Sequence, residues 1–139
     1  VLNQRQIVDY ELQRRSVLRR YRAGFLSREE VCDAGPYLHR AARYHGEQTE
    51  HMCPVCFKSQ IVLVAWVYGD ELGMASGSAR KPAELERMAN LFAEFTVYVV
   101  EVCHACGWNH LAMSYVLGTG EPGTRAPRSR PRSRKSATQ

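Results

Sequence analysis

Apolar residues recur at helical spacing through Ile7, Tyr10, Val17, Leu18 and Tyr21 until Gly24, and Asn3 with Gln6 has the form of a capping box just ahead of them. The pattern predicts a helix over residues 4–22. A second capping box, Ser27 with Glu30, opens a short helix to about residue 32. Pro36 stands where a first helical turn tolerates it, starting another helix that runs to His45 before Gly46. After Gly46 the period changes. Residues 61–68 are a nearly unbroken apolar run, rich in β-branched and aromatic side chains and too short for an ordinary helix. They read as a strand, as do residues 95–102 and 108–117, and three such strands form most simply one antiparallel sheet. The first has no polar side: Ile61, Leu63, Ala65 and Val67 alternate with Val62, Val64, Trp66 and Tyr68, so helices are expected to cover both faces. Between the first two strands lie a Gly/Ser-rich loop, residues 73–81, and a helix opened by Pro82 that runs to about residue 93. From Gly118 the periodicity ends, and the tetrapeptide Pro-Arg-Ser-Arg at 127–130 repeats at 131–134, a low-complexity pattern that cannot build a core.

A length of 139 residues, 45% of them hydrophobic, fits one domain with a tail and leaves no room for two independent cores. Residues 1–50 are expected to form a helical segment, 51–119 a sheet segment with an inserted helix packed into the same domain, and 120–139 a basic disordered tail. No apolar run approaches the roughly 18 residues needed to cross a bilayer. Residues 1–22 also lack the apolar core of a secretion signal, so a cytoplasmic protein without a membrane partner is expected.

Charge is unevenly placed. Arg125, Arg128, Arg130, Arg132, Arg134 and Lys135 stand against Glu121 alone, giving residues 121–139 all of the chain's formal charge of +5. Residues 1–24 carry +4 and residues 25–120 carry −4, so basic ends flank an acidic middle. Basic ends of this kind meet phosphate backbones or acidic protein surfaces, or simply keep a chain in solution. On the first helix Arg15, Arg19 and Arg22 share the polar face, which is the solvated side of a core-packing helix or a phosphate-contacting one.

The most specific signal is two cysteine pairs, Cys53-Pro54-Val55-Cys56 and Cys103-His104-Ala105-Cys106. Two intervening residues let a tight turn aim both thiolates at one ion, and two such turns supply the tetrahedral sulfur set that Zn²⁺ favours. The 46 residues between Cys56 and Cys103 exceed the 15–20 of the simple pattern. The strands reconcile this, since one leaves the first pair, one arrives at the second and one leaves it. Dithiol redox chemistry and disulfides are the other readings, though no thioredoxin-like βαβ unit surrounds either pair. Gly107 suits the positive φ that such turns need. Four thiolates close the coordination shell, so the ion is expected to be structural and His51, His104 and His110 are not needed as ligands. Cys32 is expected in the core, away from both pairs. No nucleophile with a base, acid/base pair or phosphate loop stands out, and a non-enzymatic protein without a small-molecule substrate is expected.

Residues 8–10, 31–34 and 36–42, the first cysteine pair, residues 66–73 and 75–80, and residues 100–110 together resemble a family of small actinobacterial proteins of unknown function, over about residues 7–119. That resemblance implies a zinc-ribbon lineage and carries no catalytic residues; the Arg/Pro/Ser tail lies outside it. The expected fold is therefore α+β: N-terminal helices packed on a three-stranded antiparallel zinc-ribbon sheet with a loop–helix insertion. The expected function is a binding module on RNA or a nucleoprotein machine, the ribosome or RNA polymerase, with Arg15, Arg19, Arg22 and the six tail cations on phosphates. Tyr37, Tyr44 or Trp108 would stack on bases if exposed. The alternative is an adaptor for an acidic protein partner. Exposed aromatics framed by arginine favour the first reading; aromatics without cations favour the second.

Overall fold

The computed structural model describes residues 3–121. In chain order the elements are β1 (Arg5–Asp9), α1 (Glu11–Arg22), α2 (Arg28–Val31), α3 (Pro36–His45), β2 (Glu47–Met52), β3 (Gln60–Tyr68), a 3-10 helix (Asp70–Ala75), β4 (Ser78–Arg80), α4 (Pro82–Ala89), β5 (Phe95–Val102) and β6 (Asn109–Leu117). The strands form one antiparallel sheet in the order β1-β6-β5-β3-β2, with β4 pairing the remaining length of the outer edge of β3. The class is α+β, as expected. The sheet has six strands where three were expected, and the three expected ones are its centre, β6-β5-β3.

The three additional strands are edges, and each lacks the pattern that marks a buried strand. Residues 5–9 were expected to begin a helix. They instead pair with β6, Arg5 opposite Val116 and Asp9 opposite Met113, and so occupy backbone groups that β6 would otherwise leave open. Ile7 and Val8 are 56% and 45% exposed, so they were never part of a buried helical stripe. The helix begins only after Tyr10, where the Asp9 carboxylate accepts the Glu11 N–H at 2.7 Å, and the Asn3–Gln6 capping box does not form. β2 is polar from Glu47 to His51, and charge on an edge discourages pairing with another chain. β4 lies inside the segment read as a loop. The capping box of Ser27 and Glu30 is present, and α4 stops at Ala89, short of residue 93.

The cover on both faces of β3 is real. Val67, Phe95, Val97 and Leu117 pack with Leu85 and Met88 of α4 and with Leu72 of the 3-10 helix. On the other face Val64 and Val102 pack against Ala41 and Ala42 of α3. The turn from α3 into β2 admits only glycine, because a Cβ on Gly46 would overlap Val62 Cγ1 and the Ala42 carbonyl. Among the described residues no helix is long and apolar enough to cross a membrane.

One buried carboxylate ties α1 to the sheet. Glu101, 7% exposed on β5, accepts the Arg14 Nε–H at 2.9 Å with one oxygen and the Trp108 indole N–H at 2.6 Å with the other. Glu101→Ala strands both donors and is expected to cost about 2–4 kcal/mol, read as a lower urea midpoint. Glu101→Gln keeps an acceptor for Trp108 and is expected to cost less; equal losses would show that the charge pair contributes nothing.

Candidate metal centre

Both cysteine pairs sit in hairpin turns at the same end of the sheet, the first between β2 and β3 and the second between β5 and β6. The two turns are built alike. The Cys53 N–H donates to the Ser59 carbonyl and the Cys103 N–H to that of Trp108, both at 2.8 Å. The Phe57 and Gly107 N–H groups return to the carbonyls of Cys53 and Cys103 at 3.1 and 2.9 Å. Each turn closes through a left-handed residue, Gly107 at φ +89° and, in the corresponding place, Phe57 at φ +55°. Only the glycine was legible beforehand, because a phenylalanine gives no sign of positive φ. Backbone donors then converge on sulfur: Val55 and Cys56 N–H on Cys53 Sγ, Lys58 N–H on Cys56 Sγ, and Trp108 N–H on Cys106 Sγ at 3.3 Å. Donors aimed at sulfur favour the thiolate form and fix its direction, which is what a metal ligand needs.

The four sulfurs of Cys53, Cys56, Cys103 and Cys106 lie within 4.8 Å of one another. Across the turns, Cys53 Sγ is 3.7 Å from Cys106 Sγ and Cys56 Sγ is 3.6 Å from Cys103 Sγ. A tetrahedron with metal–sulfur bonds of about 2.3 Å has edges of roughly 3.8 Å, so the thiols already stand near the spacing one ion requires. Cys53 and Cys103 are fully buried, Cys56 and Cys106 partly so. Burial pushes the Cys53 and Cys106 thiols up to about 12. Burial acts upward on Cys56 too, but the Lys58 N–H and the neighbouring thiols outweigh it and bring that group down to about 7. The arrangement can hold a metal ion.

Cys32 is not away from the pairs. It caps the end of α2, is half-buried, and its thiol donates to Cys106 Sγ at 3.3 Å. Gly107 explains the approach, since a Cβ there would stand 3.0 Å from the Cys32 carbonyl oxygen, and the Ala34 N–H donates to the Gly107 carbonyl. The histidines lie outside the sulfur set: His51 and His104 are exposed, and His110 stacks on Trp108 with ring centroids 5.9 Å apart.

The remaining site residues divide. Arg15, Arg19 and Arg22 are exposed along α1, with Arg15 paired to Glu11 at 3.1 Å. Arg125, Arg128, Arg130, Arg132, Arg134 and Lys135 lie outside the described residues. Trp108 is fully buried, so the expectation that it stacks on a ligand is corrected; its indole N–H is committed to Glu101. Tyr37 and Tyr44 are exposed, at 63% and 58%. They belong to an aromatic strip whose full extent the sequence did not reveal. Trp66 of β3 faces Tyr98 of β5 across the ladder, Tyr37 of α3 leans on Trp66 at 5.6 Å, and Tyr68 meets Tyr98 edge-on at 5.5 Å. Two adjoining cavities of 640 and 370 Å³ share Tyr37 and Trp66. Arg40, Arg80, Tyr44 and His45 line the second, and the buried Nδ1 of His45 has no hydrogen-bond partner among the described residues. Arg80 is paired with Glu84 at 3.4 Å, and Arg43 stands 5.6 Å from the Tyr44 ring.

The sequence profile of DUF5318, a family of unknown function, matches residues 1–131, and the chain belongs to that family. It is similar to Uncharacterized protein Rv0049 of Mycobacterium tuberculosis and to Uncharacterized protein Mb0050 of Mycobacterium bovis. Identity to each is 53% over 121 residues, covering 87% of this chain and 88% of the relative. No solved structure matches. The actinobacterial resemblance thus holds, and the family match reaches past residue 119 to take in the first Pro-Arg-Ser-Arg repeat.

Two outcomes test the geometry of the centre. Gly107→Ala forces a side chain into a left-handed backbone beside Cys32 and is expected to weaken Zn²⁺ binding by about 1–2 kcal/mol, roughly ten-fold. Phe57→Gly relieves the same conformation and is expected to leave binding equal or tighter, so a loss there would contradict the equivalence of the turns. Metal uptake must also displace the protons that Cys53 and Cys106 hold at pH 8, with thiols near 12. Zn²⁺ titrations should therefore release about two protons from these groups, which alone lower the apparent affinity roughly a hundred-fold for each unit of acidification around that pH. Affinity independent of pH would contradict thiolate ligation.

Proposed function

We propose that this protein is a non-enzymatic module that binds single-stranded nucleic acid and whose four-cysteine site holds a structural Zn²⁺. For the ion, the support is the donor set. Four thiolates at near-tetrahedral spacing suit a borderline-soft d¹⁰ cation and leave no position for water or substrate. Bound there, it would join the β2–β3 turn to the β5–β6 turn and hold the β3–β5 pair in register. That pair carries Trp66 opposite Tyr98.

The observation that carries the binding half is the aromatic strip with arginine around it. Stacking on Tyr37, Tyr44 or Trp66 gains affinity from any base, because every base has a π-face, and Arg40 and Arg43 stand where phosphates would follow. Aromatics without cations would have favoured a protein partner. The basic tail adds electrostatic attraction that reads no sequence.

Fluorescence anisotropy with a labelled single-stranded RNA, repeated across salt concentrations, tests the reading on the full chain. Tyr37→Ala, an exposed position, is expected to cost about 1–3 kcal/mol of affinity, and Arg40→Ala a smaller, salt-dependent amount. Replacing Arg128, Arg130, Arg132 and Arg134 together by alanine should flatten the salt dependence by about three units of slope. No binding at physiological salt, or binding indifferent to Tyr37, would end this reading and turn the strip toward a protein partner.

A further inference from the structure

We propose that Cys32 is a redox partner of the metal centre: a hydroperoxide converts Cys32 and Cys106 to a disulfide, and the ion is expelled. This deepens the zinc reading above and rests on it. Three observations place the chemistry at this pair. First, the centre contains five sulfurs where four suffice, and the Cys32 thiol stands 3.3 Å from Cys106 Sγ, closer than either contact between ligand sulfurs of the two turns. Second, Cys106 and Cys32 are both partly exposed, whereas Cys53 and Cys103 are fully buried, so a small oxidant reaches this side of the cluster. Cys56 is also partly exposed, but no fifth thiol stands beside it. Third, the backbone already holds the two residues together. The Ala34 N–H donates to the Gly107 carbonyl at 3.0 Å, and the Asn109 side chain bridges the Asp33 carboxylate and the Gly107 carbonyl at 2.9 and 3.1 Å. Disulfide formation therefore joins segments that are already docked.

The reaction balances in two steps. The Cys106 thiolate attacks one oxygen of hydrogen peroxide; the S–O bond forms, the O–O bond breaks, and hydroxide leaves, giving the sulfenic acid at Cys106. Cys32 then attacks that sulfur; the S–S bond forms, the S–O bond breaks, and the departing hydroxide takes the Cys32 proton to become water. Two electrons pass from the two sulfurs to the peroxide. Cys106 can no longer bind as a thiolate, and three remaining sulfurs no longer close the shell. Nothing comparable follows a Cys32 that serves only as packing.

The test uses the full chain as isolated. Metal content is measured first, then hydrogen peroxide is added while a chromophoric chelator reports released Zn²⁺ and peptide mass mapping without reductant identifies the first disulfide. The expected result is stoichiometric zinc release tracking a Cys32–Cys106 linkage, with both reversed by dithiothreitol and added Zn²⁺. Cys32→Ser and Cys32→Ala should bind zinc at unchanged stoichiometry and lose that reversible release, their Cys106 proceeding instead to sulfinic acid, which dithiothreitol does not reverse. A first disulfide confined to Cys53, Cys56, Cys103 and Cys106, or release unchanged in both variants, would overturn the assignment of Cys32 while leaving the zinc site standing. A chain that purifies without zinc and takes none up would overturn the underlying reading, and with it the expulsion.

Discussion

Two hairpin turns far apart in the chain must present four thiols at one point, and the rest of the architecture is arranged around that requirement. Left without an ion, four sulfurs, two fully and two partly buried, would crowd within 4.8 Å at the end of the sheet, with backbone N–H groups aimed at them. Such a cluster is costly as neutral thiols, whose polar atoms gain little from one another, and favourable once a divalent cation replaces their protons. The sheet supplies the convergence. Because β3 leaves the first turn and β5 enters the second, and Val62 stands opposite Val102, pairing the two strands brings the two turns to the same end. Sheet register and the clustering of the four thiols are thus one constraint seen from two sides.

The apolar parts answer to the same end of the molecule. Val31 of α2 and Leu18 of α1 pack with Val55, Ile61 and Trp108 directly around Cys53 and Cys103, so the helical segment is the wall that keeps water from the buried side of the cluster. Glu101 locks that wall by joining Arg14 of α1 to Trp108, two residues beyond Cys106. The opposite end of the sheet carries no such burden. There Trp66, Tyr68 and Tyr98 are partly open to solvent, and α3 brings Tyr37 and Arg40 beside them. The sheet thus has a closed cysteine end and an open aromatic end.

How much of this was legible follows from what each residue had to do locally. The strands at the centre of the sheet announced themselves because their sequences are dominated by β-branched, aliphatic and aromatic residues that fall on both faces. β1, β2 and β4 did not, because an edge strand satisfies backbone hydrogen bonds without burying its side chains, and sequences such as Glu47–Met52 carry no alternation. The helical spacing of Ile7 and Tyr10 misled because a few apolar residues fit a strand and a helix equally well until tertiary pairing decides. The clustering of Cys53, Cys56, Cys103 and Cys106 could be read from the spacing within each pair together with the strands that flank them. The place of Cys32 could not, since its contact with Cys106 spans 74 positions of sequence and depends on Gly107 lacking a side chain. Trp108 and Tyr98 show the same limit: one aromatic is sealed against a buried carboxylate and another lies on an open face, and nothing in their immediate neighbours says which.

The central claim is that an ion at the four cysteines holds the sheet together, and the most direct measurement follows bound metal and thermal unfolding on the same sample as a strong chelator is added to the full chain. The account expects one zinc per chain as isolated, and a cooperative melt that falls or vanishes in step with zinc removal and returns when Zn²⁺ is restored. A chain that keeps an unchanged melt after its metal has gone, or that never held any, would contradict it.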